Sequence, residues 1–412
     1  MLKLLSLVGL CSFIAVAWGL SSNRKKFPWR TVLSGLGLQF LFGIFILKTA
    51  VGAKLFEWAH LGANEFLGVA NEGALLVFGP LADGSLVAEA FPSRPVVLAI
   101  TITATIILVS ALSSLLYHWG ILQRVVRGFA IVMQRAMGLS GSESLAAAGN
   151  IFMGQTEAPL LVKPYLSSMT RSELMAMMTG GMATIAGGVL AVYVGFGIEA
   201  GHLITASVMS APAALLIAKV MLPETEKSPT AAGSEAVVEI TSTNSLDALC
   251  KGTSDGMKLS INVVAMLIGF TAIVALVNLL LAWVQSWFGV ETPITLQILL
   301  GWLNAPFAFL MGVPWEDCAS VGRMLGERIV LNEFIGYLSL AELSDSLAPR
   351  SHTLATYALC GFANFASIAI QLGGIGGLAP DRRKDLAQLG ARAMIGGVLA
   401  SYLTATMVGI IT

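Results

Sequence analysis

Charge is scarce in this sequence. Asp, Glu, Lys and Arg make up 12% of its 412 residues, against about 25% in ordinary soluble domains. Neither sign is in excess, with 24 basic and 24 acidic residues and a formal net charge of zero. Without a basic surplus the chain lacks the electrostatic footprint of a nucleic-acid binder. Low net charge with 56% hydrophobic residues also excludes a disordered chain. Cysteine is sparse: Cys11, Cys250, Cys318 and Cys360 stand far apart with no CxxC spacing, so neither a disulfide framework nor a zinc site is expected. His60, His118, His202 and His352 are equally dispersed. HExxH, P-loop and GxGxxG motifs are absent. One GxSxG occurs around Ser254 (Gly252 to Gly256), but a nucleophile elbow needs a strand before the turn. A polar segment precedes this one and an apolar run follows. A membrane-embedded hydrolase built on Ser254 is the reading from a different class.

Apolar runs are plentiful, and the mean hydropathy is +0.80. They lie at 4–21, 31–51, 95–117, 172–198, 203–222, 257–288, 351–373 and 390–411, each near the ~20 residues a helix needs to cross a bilayer. The expected fold is an all-α polytopic membrane protein with eight transmembrane helices and two re-entrant helical hairpins in inverted repeats. The N-terminal run ends in AWGLSSN without an A-x-A cleavage pattern, so it reads as a span rather than a signal peptide. Arg24, Lys25, Lys26 and Arg30 follow it. The positive-inside rule then places the first loop in the cytoplasm and both termini outside. Alternate tracing puts segments 22–30, 118–142, 159–173, 219–258 and 378–392 inside, and these hold 17 of the 24 basic residues.

Several segments are not simple spans. Residues 118–142 begin with a stretch mixing apolar residues with Arg124, Arg127 and Arg135, which suits an amphipathic helix at the cytoplasmic interface or an extension of the preceding span. Residues 223–255 form the one sustained polar stretch and read as a cytoplasmic linker. Thr253 and Ser254 would cap the next helix. Residues 143–171 and 314–347 each carry two apolar arms around a polar centre. Arms of about 10–14 residues are too short to span and suit re-entrant hairpins. The first hairpin precedes a span interrupted at 179–188, and the second precedes one interrupted at 360–367. Paired interruptions in two halves point to a transporter's binding site. The halves divide the chain into scaffold spans at 1–117, transport segments at 143–222 and 314–412, and a scaffold span with an interfacial segment at 256–313.

Glu157 and Glu333 occupy the hairpin centres. A carboxylate at membrane depth costs at least about 2.5 kcal/mol and is by default functional; pairing with a base such as Lys163, or helix capping, is the competing explanation. Asn150, Gln155, Thr156, Asn332, Asn364 and Ser367 add uncharged donors and acceptors. Neither hairpin centre carries Arg or Lys, so a neutral polyhydroxylated or amide-bearing solute fits better than an anion. Asn364 and Ser367 share a helix face. Phe362 could cover a flat ring or simply pack. Carbonyls freed near Thr184 and Ile185 would suit a monovalent cation.

The stretches GNIFMGQTEAPLLVKPYL (149–166), TGGMATIAGGVLA (179–191), IVLNEF (329–334) and CGFANFASIAIQLGGIGGLAP (360–380) resemble the concentrative nucleoside transporters, most of all their bacterial sodium-coupled members. The resemblance runs from about residue 95 to the C-terminus. It implies a homotrimer in a bacterial inner membrane, importing a nucleoside such as uridine with sodium by an elevator motion; some relatives use protons. It places Gln155 and Thr156, with Glu157 behind, at the nucleobase, with Val189 and Phe362 as apolar contacts. Glu333, Asn364 and Ser367 match ribose-binding groups. Asn150, Met153, Thr184 and Ile185 match the sodium positions. A lipid bilayer and no nucleic acid complete the expected partners.

Overall fold

The computed structural model describes residues 1–91, 97–228, 230, 242–290 and 292–412. Six helices come first: α1 (Leu2–Gly19), α2 (Trp29–Lys48), α3 (Ala50–Phe78), α4 (Gly84–Ala90), α5 (Leu98–His118) and α6 (Ile121–Met137). Glycines in left-handed backbone, Gly120 at φ 73° and Gly138 at φ 70°, bound α6. Val126, Ala130, Met133 and Met137 form its buried stripe, while Arg124, Arg127 and Arg135 stay exposed. That is the amphipathic helix expected from the sequence. The stretch after α2 departs from expectation, since 52–94 holds no expected span. Helix α3, a 3-10 turn at Gly79–Ala82 and α4 occupy most of it, and the combined stretch Glu65–Ala90 is long and apolar enough to cross. Lys54, Glu57, Glu65 and Glu72 interrupt the apolar run and hide the helix from hydropathy. Its Phe56 packs edge-on against His202, with ring centroids 5.1 Å apart.

Two sets of elements then repeat one order. The first is α7 (Gly141–Gly149), a 3-10 segment Ala158–Ser168, α8 (Arg171–Ala183), α9 (Gly187–Gly195) and α10 (Ala200–Met221). Helices α11 (Ser245–Ser286) and α12 (Leu296–Met311) intervene. The second set is α13 (Cys318–Val330), α14 (Glu333–Glu342), α15 (Pro349–Leu359), α16 (Phe365–Leu378) and α17 (Arg383–Ile411). Each set is a helical hairpin, a helix broken in the middle and one long helix. Pro164 lies inside the 3-10 segment, where its missing N–H prevents regular α-helical bonding.

The polar stretch expected at 223–255 is shorter than its composition suggests. Asn244 caps α11 by accepting from the Asp247 N–H at 2.9 Å. Thr253 and Ser254 therefore lie inside the helix rather than at its start. The same placement removes the strand-and-turn context that Ser254 would need as a nucleophile. Residues 229 and 231–241 of the linker, Arg94, and residues 95–96 of the expected third span lie outside the described residues.

Seven helices among the described residues are long and apolar enough to cross a membrane. Helices α10 and α17 form the centre: 94% and 83% of their most apolar stretches are buried, against 12% for α11. An apolar helix so little buried faces lipid or another chain.

Contacts gather the basic segments at one end of the molecule. The Ser22 N–H donates to the Met221 carbonyl (3.0 Å), Arg30 to the Arg135 carbonyl (2.8 Å) and Arg171 to Gln388 (2.9 Å). His118 and Ser242 meet at 2.7 Å. At the same end Lys219 pairs with Glu143 at 2.6 Å, both side chains buried, and donates to Ser172 Oγ at 2.9 Å. At the opposite end Arg350 donates to the carbonyls of Gly312 (3.0 Å) and Gly409 (2.7 Å).

Candidate functional site

The breaks in the two sets of helices meet. Gly361, at φ 132°, lies against α8: a Cβ there would fall 2.7 Å from the Met182 carbonyl oxygen. Only glycine tolerates both the backbone angle and the approach. Around this junction the helix termini supply the polar groups. Asn332 caps α14, accepting from the Ile335 N–H at 3.1 Å, so Glu333 falls at the first helical position, where the helix dipole favours a carboxylate. Asn364 caps α16, accepting from the Ser367 N–H at 2.9 Å. Its Oδ1 thereby committed, its Nδ2 donates to Glu333 Oε2 at 3.1 Å. The Tyr193 hydroxyl of α9 donates to Glu333 Oε1 at 3.1 Å. Tyr193 is held in turn by Tyr337 and Phe334, with centroids 4.4 and 5.1 Å away. Both oxygens of the buried carboxylate are thus held by donors, and a carboxylate's four lone-pair sites leave room for a further hydroxyl.

The network continues into the first set. Gln155 Nε2 donates to Ser367 Oγ at 3.0 Å, and Gln371 Nε2 donates to Gln155 Oε1 at 3.1 Å. Gln155, Glu333, Asn364 and Ser367, drawn from both sets, therefore form one hydrogen-bonded array. The other sequence candidates are not hydrogen-bonded to it. Thr156 is exposed and packs beside Gly374. Glu157 accepts from the Gly154 N–H at 3.3 Å, and no ion pair joins it to Lys163 among the described residues. Both line a 270 Å³ cavity between the first hairpin and helices α5 and α11, with Met153, Tyr117, Lys251 and Asp255. Val189 and Ile185 are buried in the core, and Phe362 is half-buried against it.

The cation candidates divide likewise. Asn150 and Thr184 converge on Gly180. Thr184 Oγ1 donates to the Gly180 carbonyl at 2.9 Å, and a Cβ on Gly180 would lie 3.1 Å from Asn150 Nδ2. Asn150 is 1% exposed, yet neither its Nδ2 nor its Oδ1 has a hydrogen-bond partner among the described residues. A buried amide without partners is costly, and its free oxygen matches a hard monovalent cation. Asn150 and Thr184 are both uncharged, and no cluster of three or more His, Cys, Asp or Glu that could hold a metal occurs among the described residues.

Three residues of the site are not among the sequence candidates. Tyr193 and Gln371 carry no local signal, their partners lying 140 and 216 residues away. Arg328 does carry one, as a base within an apolar hairpin. It is fully buried and donates to the carbonyls of Gly361 (3.1 Å) and Ala358 (2.5 Å) and to Ser401 Oγ (3.0 Å). It thereby satisfies carbonyls that the end of α15 leaves free.

Residues 202–409 match the family model for the Na+ dependent nucleoside transporter C-terminus and residues 8–81 that for its N-terminus. Residues 99–200 match a nucleoside recognition model. The chain is 43% identical to an uncharacterized transporter of Haemophilus influenzae, over 98% of this chain and 97% of that protein. It is 40% identical to sodium/nucleoside cotransporter 1 of Rattus norvegicus over 99% of this chain, and spans 64% of that protein's length. Among solved structures it superposes on CNTnw in an inward-facing substrate-bound state with a TM-score of 0.94 at 37% identity, covering 100% of this chain and 98% of that one. A variant of CNTnw in an outward-facing state matches with a TM-score of 0.93 at the same identity, covering 100% and 98%.

Proposed function

Since this chain belongs to the Na+-dependent nucleoside transporter family, and is thus a multi-pass transporter rather than an enzyme, we propose that it is a sodium-coupled nucleoside symporter of a bacterial inner membrane. The observation that carries this reading is the array joining Gln155, Ser367, Asn364 and Glu333. A nucleoside offers one end rich in hydroxyls and one flat end with amide-like edges. Glu333, with Asn364 and Ser367, takes the ribose, because a carboxylate accepts from adjacent hydroxyls that an uncharged acceptor would hold less firmly. Gln155 and Thr156, with Glu157 behind, take the base, and Val189 and Phe362 supply its apolar contacts.

Sodium, a co-substrate here, is assigned to Asn150, Met153, Thr184 and Ile185. The unpartnered Asn150 amide supports this, as does its convergence with Thr184 on Gly180. Asn150 and Gln155 belong to one break between α7 and the 3-10 segment. A cation that orders this break therefore positions Gln155, and binding of either ligand tightens the other to the same degree.

The gathering of the basic segments at one end supports a cytoplasmic face there, with both termini periplasmic. Eight crossings result if the hairpins enter from opposite sides and 50–91 returns to the side it left; a single crossing by that stretch would put the basic segment 118–142 outside. Segments 143–222 and 314–412 would move as the transport domain of an elevator against α1–α3, α5 and α11. The apolar, little-buried α11 suits lipid and the neighbouring chains of a homotrimer.

Uridine uptake into proteoliposomes tests the proposal directly. Accumulation under an inward sodium gradient is expected. Accumulation under a proton gradient alone would transfer the coupling to protons, and none under any gradient would overturn the nucleoside assignment.

A further inference from the structure

Gln155 can face a substrate in two ways, presenting its NH2 as a donor or its oxygen as an acceptor. Which way it faces is decided behind it. Gln371 is fully buried, and its Nε2 donates to the Met178 carbonyl at 3.0 Å and to Gln155 Oε1 at 3.1 Å. An amide nitrogen carries two hydrogens, and both are used. A backbone carbonyl only accepts, so Met178 fixes the orientation of Gln371. Turning that amide over would bring its oxygen against two other oxygens. The orientation is kept even though Gln371 Oε1 is left buried without a partner among the described residues.

The consequence passes forward. Gln155 Oε1 is occupied, so its Nε2 faces the site, giving one hydrogen to Ser367 Oγ and leaving one free. Ser367 Oγ accepts that bond, which leaves its own hydrogen to donate. We propose that Gln371 is a specificity-determining positioning residue that, anchored on the Met178 carbonyl, holds Gln155 as a hydrogen-bond donor to the nucleobase. The site therefore selects bases that present an acceptor at the edge Gln155 reads. The proposal rests on the nucleoside reading above and deepens it.

Uracil and cytosine exchange donor and acceptor at ring position 3 and at the substituent on position 4, so uridine and cytidine are the natural probes. With Gln371 intact, one orientation of Gln155 is enforced and the two substrates are read unequally. In Gln371→Met the Gln155 amide is free to turn, so it donates to one base and accepts from the other. Gln155→Glu keeps the bond from Gln371 but removes the donor.

The test is kcat/KM for uridine and cytidine in proteoliposomes, with sodium activation measured alongside. The expected result is a change of at least about fivefold in the uridine-to-cytidine ratio for Gln371→Met, with half-saturating sodium within about twofold of wild type, since coupled changes appear among residues of one network. A uniform fall in both values at constant ratio, the signature of a purely structural role, would overturn the proposal. Should Gln371→Met fail to reach the membrane, Gln155→Glu decides: a ratio shifted by at least about fivefold supports the orientation, and an unchanged ratio overturns it. Wild-type protein that takes up neither nucleoside brings down the nucleoside reading and this role with it. Wild-type uptake with an unchanged ratio in the variants brings down this role alone.

Discussion

Replacing Arg328 with methionine removes a buried guanidinium while keeping much of its apolar stem. Three hydrogen bonds disappear, to the carbonyls of Ala358 and Gly361 and to Ser401 Oγ. Ser401 still shares its one hydroxyl hydrogen between the carbonyls of Cys360 and Gly397 (both 3.0 Å), so the loss falls on the two carbonyls at the break between α15 and α16. A buried acceptor left unsatisfied costs about 1–3 kcal/mol, giving about 2–6 kcal/mol for the pair. Removing the buried charge relieves desolvation and offsets part of this. A net loss of about 2 kcal/mol from the binding-competent arrangement of 360–364 lowers nucleoside affinity about 30-fold. Arg328→Lys, able to reach one of the carbonyls, should fall between. Uridine affinity of the purified proteins at saturating sodium, read by calorimetry, checks this. Affinity for Arg328→Met within about twofold of wild type, in protein that is folded by near-UV circular dichroism, would refute the role given to Arg328.

Further outcomes follow from the same geometry. Glu333→Ala should abolish nucleoside uptake in vesicles while the protein stays in the membrane at normal level, and near-normal uptake would remove Glu333 from ribose binding. Thr184→Ala should raise the sodium concentration for half-maximal uptake severalfold; an unchanged sodium response would exclude the hydroxyl from the cation site. Lys219→Met, by stranding the buried Glu143 carboxylate, should destabilise the protein by about 3–5 kcal/mol. Adding Glu143→Gln should recover part of the melting temperature in detergent, and a double variant no more stable than the single would show that the pair is not coupled.

The hairpins are legible in the sequence because a membrane leaves few options for short apolar arms around a polar centre. Both interrupted helices are legible from their glycines and from Asn364. Helix α3 is not, because Lys54, Glu57, Glu65 and Glu72 depress its hydropathy, although an isolated polar side chain need not end a helix packed against α2, α5 and α10. Polar residues likewise hide the start of α11, even though Asn244 followed by Asp247 is a capping signal of the kind that marks a helix start. Within the site, Asn364, Ser367, Gln155 and Glu333 announce themselves as polar groups in apolar surroundings. Gln371 and Tyr193 do not. Their roles come from partners brought near by tertiary packing, which no local pattern encodes.

The contact of Gly361 with the backbone at Met182 and Ala183 has a consequence for how the protein is made. Each break supplies a wall for the other, so neither set of helices can complete its own interior. The first set's interrupted helix is therefore walled at Met182 and Ala183 only when residue 361 of the second set lies against it. The cleft thus forms only when both sets are in place, and a chain truncated before α16 would leave the first set without that wall.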